Sequence, residues 1–304
     1  MWTRRAFTKL ALAGAAGSVW GNAVTNSIVS AAERPNSVID GVQIGTITYS
    51  YRSMPDQSGE ATLRYIVDSG INAIELMNGP AESYAGAPAG RDATRLKQWR
   101  LSVSMDKYKA LRKMYNDAGV KIYAWKCLNP NMSAEEFEYV FNVAEALGCT
   151  HTTLELTDDM SQLKRIGEFA EKRKIYAAYH THTQGSMTAF DKAFAASKAN
   201  MANVDFGHYV AGGNVGGSTV QFLQKFHDRI ASFHMKDRTT PEHGTKNLPW
   251  GTGDTPLKEI LQTVKRNKWS MPATIELEYD VPAGSDAVKE VAKCLQYCKA
   301  ALNS

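Results

Sequence analysis

The sequence predicts an α/β protein of the (β/α)8 TIM barrel class. Eight short apolar runs alternate with amphipathic stretches of helical spacing, and the alternation continues almost to the last residue. The chain has 304 residues, of which 43% are hydrophobic and 22% are charged, a composition typical of globular domains. We see no internal linker, so we predict a single barrel domain over residues 33–304.

The expected strands and helices follow one another in regular order. The strands are expected at residues 42–51, 73–77, 121–127, 150–156, 174–182, 204–208, 230–237 and 273–279. The clearest helices are expected at residues 105–118, 134–147, 160–172, 256–267 and 285–302. Asp106 and Ser133 are suitable helix caps, and Gly119 and Gly148 are suitable stops. The least regular region, residues 78–99, is expected to be a loop folded over the strand ends.

The fifth expected strand ends in the sequence Tyr179-His180-Thr181-His182. Side chains on a strand alternate between its faces, so His180 and His182 point the same way. Two imidazoles on one face suit a metal ion, although a hydrogen-bonded pair of histidines would give the same pattern. In a barrel of this class the active site lies at the carboxyl ends of the strands, which is where this pair is expected.

Several other strands place ionisable residues on one face and apolar residues on the other. The ionisable set is Glu75, Glu155, Asp205, His234, Lys236, Glu276 and Glu278. Unpaired charges inside a barrel would cost several kcal/mol each. Each residue alone is compatible with a buried ion pair, but the convergence of six strands favours one divalent cation. Mixed nitrogen and oxygen ligands suit Mn, Co, Zn, Fe or Ni better than Ca.

Four segments carry a resemblance to a known family. They are Tyr179-His180-Thr181-His182, Val204-Asp205-Phe206-Gly207-His208, Phe233-His234-Met235-Lys236-Asp237 and Ile275-Glu276-Leu277. From about Val42 onward the chain resembles the sugar phosphate isomerase/epimerase family, the xylose isomerase-like barrel group that includes inosose dehydratase and ketose 3-epimerases. The resemblance implies that Asp205, His234 and Glu276 are metal ligands.

The fifth strand departs from the epimerase pattern. It has histidine where the epimerases have a glutamate that is both a metal ligand and a catalytic base, and it resembles the dehydratase-like branch instead. Either His180 or His182 is therefore expected to bind the metal, and Glu155 on the fourth strand is expected to supply a carboxylate ligand. This departure leaves both epimerisation and elimination open.

Candidate catalytic and substrate-binding residues lie on the same strand ends. A ligand carboxylate can act as the base only if one oxygen stays free, so we expect Glu155 or Glu276 to take the proton and His182 or Lys236 to return it. Lys236 is equally compatible with a simple ion pair. The residues expected to contact substrate are His208, Glu278, Trp125 and Tyr49.

These features predict a divalent-metal-dependent sugar isomerase or epimerase that works through an enediolate. A lyase or dehydratase acting on a keto-sugar or keto-glycoside would use the same chemistry. A non-catalytic periplasmic sugar-binding protein is the alternative from another class, and it would need no metal. A glycosidase would need paired carboxylates without the histidines around them. The substrate is expected to be a small unphosphorylated sugar, and the sequence is compatible with a homo-oligomer.

Residues 1–32 have the pattern of a signal peptide. Arg4 and Arg5 precede a weakly apolar run, small residues follow it, and the twin arginine resembles the Tat export signal. We therefore expect a periplasmic protein that meets the membrane only during export. The net charge is +4, and loss of three basic residues with the signal leaves about +1, which does not favour a nucleic-acid partner. We expect no structural disulfide among the four cysteines.

The export signal can be tested directly. Replacement of both Arg4 and Arg5 by lysine should leave the precursor in the cytoplasm, because the signal depends on the arginine pair. Cell fractionation followed by immunoblotting would measure the distribution. Unchanged export of the double variant would contradict the Tat interpretation.

Overall fold

Eight parallel strands close into a barrel in the computed structural model, which describes residues 34–90 and 92–304. The strands are β1 (Val42–Ile47), β2 (Ala73–Met77), β3 (Lys121–Lys126), β4 (His151–Glu155), β5 (Tyr176–His180), β6 (Asn200–Asp205), β7 (Ile230–Met235) and β8 (Ala273–Ile275). They pair in chain order, and β1 also pairs with β8. The predicted fold class is therefore confirmed. The signal peptide expected at residues 1–32 lies outside the described residues.

Eleven helices of the described residues surround the strands. They are α1 (Gly59–Asp68), α2 (Asn78–Ala85), α3 (Ala93–Arg100), α4 (Met105–Asp117), α5 (Ala134–Leu147), α6 (Met160–Arg173), α7 (Asp191–Ala196), α8 (Phe206–Ala211), α9 (Thr219–Phe226), α10 (Leu257–Asn267) and α11 (Ala287–Leu302). Most of the buried apolar side chains form one cluster that includes residues of both the strands and these helices. None of the described helices is long and apolar enough to cross a bilayer.

Local sequence signals fix the helix ends. Ser133 caps α5 in a reciprocal capping box, and Gly148 ends the same helix in the left-handed conformation at φ 73°, as predicted. The cap of α4 is Ser104 and not Asp106, since the Ser104 side chain accepts a hydrogen bond from the Asp106 backbone N–H. The prediction was therefore wrong by two residues at this cap.

Several expected strands, the first, sixth and eighth among them, end earlier than predicted because the chain there turns into other structure. β1 stops at Ile47 and continues as a 3-10 helix over Thr48–Tyr51. β8 contains only Ala273–Ile275. The sixth strand is displaced toward the N-terminus and ends at Asp205, whose side chain caps α8 by accepting a hydrogen bond from the backbone N–H of His208 at 2.7 Å. Asp205 thus both ends the strand and begins the next helix.

Residues 78–99 were expected to be a loop but form α2 and the larger part of α3. A buried ion pair holds the two helices together: the Glu82 carboxylate lies 2.7 Å from Arg100 Nε and also accepts a hydrogen bond from the Tyr139 hydroxyl. Gly86 ends α2 in the left-handed conformation, at φ 91°. Gly79-Pro80 and several small residues are weak helix signals, so the sequence did not indicate these two helices.

Strand β3 contains one residue more than its neighbour β2 at the barrel centre. Ile74 of β2 pairs with Ile122 of β3, and Glu75 pairs with Ala124. Tyr123 lies between them and has no partner on β2. The Tyr123 hydroxyl reaches across the interior to Thr274 Oγ1 at 2.7 Å. It has room because β1 has Gly45, where a Cβ would lie 2.8 Å from the Tyr123 ring. The bulge shifts the inward–outward alternation by one position for the rest of β3.

All four cysteines are free thiols, Cys127, Cys149, Cys294 and Cys298. Three of them are buried, and burial raises the pKa of the Cys294 thiol to about 12. They behave as packing residues.

Removing the buried carboxylate of Glu82 should destabilise the protein strongly. The Arg100 side chain is only 10% exposed, so Glu82→Ala would leave a buried guanidinium without its partner. We expect a loss of about 3–5 kcal/mol in the free energy of unfolding, measured by urea denaturation. Asp117→Ala, which removes the exposed partner of Lys113, should change stability little. Equal losses in the two variants would contradict the role given to Glu82.

Candidate metal centre

Four ligand-type side chains meet at the carboxyl ends of four consecutive strands. His180 ends β5, Asp205 ends β6, His234 lies near the end of β7, and Glu276 follows β8 directly. Each offers one donor atom, the four atoms lie within 4.8 Å of one another, and all four residues are buried. Because neighbouring parallel strands end at the same edge, the two-residue alternation of each strand is enough to bring these side chains together. We call them the four-donor group.

One carboxylate oxygen of this group accepts no hydrogen bond. His234 Nδ1 lies 3.0 Å from Glu276 Oε2, and Asp205 Oδ1 accepts the backbone N–H of His208. Asp205 Oδ2 is buried and makes no hydrogen bond, although it lies 3.0 Å from Lys236 Nζ. A buried carboxylate oxygen without a hydrogen bond, beside two imidazoles and a second carboxylate, fits a divalent metal. Mixed nitrogen and oxygen donors are those that zinc and the first-row transition metals accept.

Burial and neighbouring charges set the protonation of the group. Burial, together with the positive Lys126 and His234, lowers the pKa of His180 well below its usual value, so this imidazole is neutral and has a free lone pair. Burial alone would lower the pKa of His234, but Glu75 and Glu276 raise it to about 10. Burial opposes ionisation of Glu276 as well, yet Lys236 and His234 hold its pKa well below the usual range.

Lys236 lies at the mouth side of the group and contacts three carboxylates. Its Nζ is 3.0 Å from Asp205 Oδ2, 2.8 Å from Glu276 Oε2 and 2.6 Å from Glu278 Oε2. Burial would lower its pKa, but these three carboxylates raise it, so Lys236 is an ammonium. It is placed to neutralise negative charge in the site. Gly207 allows this approach, since a Cβ there would overlap the Lys236 side chain and carbonyl group.

Glu155 lies at the rim and outside the four-donor group. Its side chain is 52% exposed, and it pairs with Lys126 Nζ at 3.0 Å and with His182 Nε2 at 3.6 Å. The strand therefore places Glu155 among rim residues and not beside Asp205 and Glu276, where the sequence analysis expected a ligand. Lys126, which the sequence analysis did not select, holds the carboxylate there by charge attraction.

The two histidines of the fifth strand have different surroundings. His180 belongs to the buried group, whereas the His182 side chain is 57% exposed. His182 and His208 form, with His180, a second set of donor nitrogens within 4.8 Å of one another among the described residues. His208 Nε2 lies 3.0 Å from Lys236 Nζ. Burial, together with the charge of Lys236, lowers the pKa of His208 to about 3.

The expected substrate-contacting residues divide into two pairs. His208 and Glu278 both lie beside Lys236, with His208 Nε2 and Glu278 Oε2 3.9 Å apart. Trp125 offers no open ring face to a ligand, and Tyr49 has one face covered. Trp125 is fully buried against Tyr108 of α4, with ring centroids 6.2 Å apart.

The bulge at Tyr123 explains the error at Trp125, because it turns this ring from the barrel interior to the helix layer. Tyr49 is 38% exposed, and the Arg52 guanidinium lies 4.4 Å above its ring. The guanidinium therefore covers one face of the Tyr49 ring, and the residue remains partly exposed.

Sequence reasoning also missed Lys126, Asn203 and Arg238. Lys126 follows the bulge, so its inward direction could not be read from alternation. Arg238 stands two residues after Lys236 and lies against His208 Nδ1, a spacing that could have been noticed. Asn203 has the same spacing from Asp205 and lies one layer deeper, where it bonds to Glu75 and to Ser232.

A closed barrel with a buried four-donor group defines a protein of the TIM barrel class with a candidate metal centre at its carboxyl end. A family model described as xylose isomerase-like TIM barrel matches residues 63–298. The chain belongs to this family. No curated protein sequence matches it.

Solved structures of similar fold include proteins with three different descriptions. A probable 3-DHS dehydratase, AsbF, from Bacillus anthracis is 14% identical with a TM-score of 0.61, over 84% of this chain and 98% of that one. The IolI protein, solved with a zinc atom, is 15% identical with a TM-score of 0.61, over 85% and 98%. An L-ribulose 3-epimerase is 12% identical with a TM-score of 0.59, over 86% and 95%. At these identities the similarity establishes the fold alone.

Divalent cations should stabilise the protein through Asp205. After treatment with a chelator, addition of Zn²⁺ or Mn²⁺ at about 100 times its Kd should add about 2.7 kcal/mol and raise the Tm by about 5–10 °C, measured by calorimetry. Asp205→Asn keeps the shape but removes the charge, so most of this shift should disappear. His243→Asn, which removes an exposed histidine outside the group, should keep the full shift. Equal shifts in both variants would contradict the assignment.

Proposed function

We propose that the protein is a divalent-metal-dependent isomerase or epimerase that removes a proton next to the carbonyl of an unphosphorylated sugar or keto-sugar. The observation that carries the proposal is the buried four-donor group, in which Asp205 Oδ2 accepts no hydrogen bond. Family membership supports it. The zinc atom in the IolI structure supports the presence of a metal, and the structural similarity to an L-ribulose 3-epimerase supports the reaction class.

His180, Asp205, His234 and Glu276 would hold the cation. A bound divalent metal supplies Lewis acidity, which makes the C–H bond beside a sugar carbonyl more acidic. The cation must be of a kind that accepts imidazole as well as carboxylate ligands, that is Mn, Co, Zn, Fe or Ni.

Glu155 is the first choice for the base that takes the proton, and Glu276 is the second. Glu155 is half-exposed at the rim, and its Oε2 lies 3.6 Å from His182 Nε2, so His182 can receive the proton or return it to the product. Glu276 Oε2 already contacts both Lys236 and His234, which reduces its capacity to accept another proton. Lys236 faces the mouth and would neutralise the developing enediolate oxygen.

Elimination from a keto-sugar or keto-glycoside is a second candidate function. Epimerisation removes a proton from one face of a carbon and returns one to the other, so it uses a proton-transfer group on each face. The histidine at position 180 takes the place of one epimerase carboxylate and leaves Glu155 as the half-exposed carboxylate. An elimination needs one base and one acid for the leaving oxygen, and Glu155 with His182 or His208 would supply both. The dehydratase description of AsbF supports this alternative.

The arginine pair at positions 4 and 5 supports a location in the periplasm. We propose that the substrate is a small sugar without a phosphate group, since phosphosugars are scarce outside the cytoplasm. Carboxylates as well as cations line the rim, with Glu155 beside Lys126 and Glu278 beside Lys236. A neutral polar substrate would meet donors and acceptors there without an unpaired charge.

Proton exchange with solvent tests the reaction even when the net product is unknown. The metal-loaded protein, incubated with a panel of keto-sugars in deuterated water, should place deuterium next to the carbonyl, as measured by NMR. Glu155→Gln should lower this exchange by about two to four powers of ten, because the amide cannot accept the proton. Glu276→Gln should lower exchange and metal content together.

Metal content must be measured in the same samples, and Glu259→Gln, an exposed position on α10, is the matched control. If both site variants keep their metal and exchange at the wild-type rate, the carboxylate mechanism is wrong and His182 becomes the base. If deuterium enters together with loss of water or an alcohol, elimination replaces isomerisation.

A further inference from the structure

A carboxylate that the proposed reaction does not use lies at the centre of the barrel. Glu75 on β2 is fully buried, one layer below the four-donor group. An unpaired carboxylate in this position would cost several kcal/mol. Thr153 Oγ1 donates to its Oε1 at 2.7 Å, and Asn203 Nδ2 donates to its Oε2 at 3.0 Å. His234 Nε2 lies 2.8 Å from the same Oε2. Glu75 is therefore bonded to three other strands.

The chemistry of a carboxylate fixes the state of His234. An ionised carboxylate can only accept hydrogen bonds, so the ring nitrogen that faces it must carry the proton. His234 Nε2 is then the donor to Glu75. Nδ1 faces the four-donor group, 3.0 Å from Glu276 Oε2 and 4.0 Å from Asp205 Oδ2, and it donates a proton to Glu276 until a bound cation replaces that proton.

Asn203 fixes the protonated nitrogen of His180 in the same way. Because Glu75 accepts only, Asn203 must turn its amide nitrogen toward it, and its Oδ1 then points the other way. That oxygen lies 3.4 Å from His180 Nδ1. Asn203 Nδ2 also donates to Ser232 Oγ at 3.1 Å, which keeps the amide in this orientation. His180 Nδ1 is thereby the protonated nitrogen, and Nε2 keeps the free lone pair.

We propose that Glu75 is a positioning residue that sets the tautomers of both ligand histidines, that of His234 directly and that of His180 through Asn203. It is not itself a ligand, because His234, Thr153 and Asn203 already occupy its oxygens. This inference rests on the proposed metal centre. Partners that orient ligand histidines in this way typically change metal affinity by 10–100-fold when they are replaced.

The tautomers can be read in the unaltered protein. In the full zinc-loaded chain labelled with ¹⁵N-histidine, correlation spectra of the ring nitrogens should show a slowly exchanging proton on His234 Nε2 and a metal-shifted Nδ1. His180 should show the opposite arrangement, with the proton on Nδ1 and the metal shift on Nε2. A metal-shifted Nε2 on His234 would overturn the proposal.

Glu75→Gln tests the energetic contribution. Glutamine has the same shape but no charge, so even with its amide oxygen turned to His234 and Asn203 it accepts their hydrogen bonds more weakly than the carboxylate does. We expect Zn²⁺ to bind 10–100-fold more weakly, measured by competition with a chromophoric chelator. Glu290→Gln is the matched control, since Glu290 is also buried and hydrogen-bonded to Tyr279 but lies outside the site. It should bind Zn²⁺ as tightly as the wild type.

The outcomes separate the two proposals. If the wild type takes up no Zn²⁺, Mn²⁺ or Co²⁺, the metal centre of the proposed function is wrong. If the wild type binds Zn²⁺ and Glu75→Gln binds it equally tightly, the metal centre stands and the role of Glu75 is wrong. If Glu75→Gln does not fold, the ring-nitrogen spectra of the wild type decide the question.

Discussion

The structure depends on mutual compensation of charges that are buried inside the barrel. Glu75, Asp205, His234, Lys236 and Glu276 are at most 6% exposed, in a space that most barrels of this class fill with branched apolar side chains. Any of these groups without a partner would cost several kcal/mol, so none is independent of the others. The contact of His234 with Glu75 joins β7 to β2 across the barrel interior, and the ion pair of Lys236 with Glu276 joins the ends of the neighbouring strands β7 and β8. The closed sheet keeps these side chains close together.

This compensation has two layers with different tasks. The lower layer, around Glu75 and Asn203, is closed: both side chains are fully buried and all four of their polar side-chain atoms have partners. The upper layer still has an Asp205 oxygen without a hydrogen bond and an ammonium that contacts three carboxylates. The fully hydrogen-bonded lower layer holds the side chains of the upper layer in fixed directions before anything binds. A preorganised site requires this arrangement.

Residues whose direction depends on local alternation could be predicted from the sequence. Asp205 and His234 were found in this way, because a strand reverses its side-chain direction at every residue. What depended on distant contacts could not be predicted. The helices over residues 78–99 rest on the buried pair of Glu82 with Arg100, and Glu155 is held at the rim by Lys126. Neither partnership has a local signal in the sequence.

The bulge at Tyr123 has a consequence for how such a site diversifies. It adds one residue to β3, and beyond it Lys126 reaches the rim while Trp125 packs against the helices. Deletion of Tyr123 would leave Trp125 paired with Leu76 and Lys126 paired with Met77, so the bulge absorbs one extra residue without changing the direction of either side chain. A family built on this barrel can therefore gain or lose an interior side chain at this point while the residues that line the entrance keep their directions.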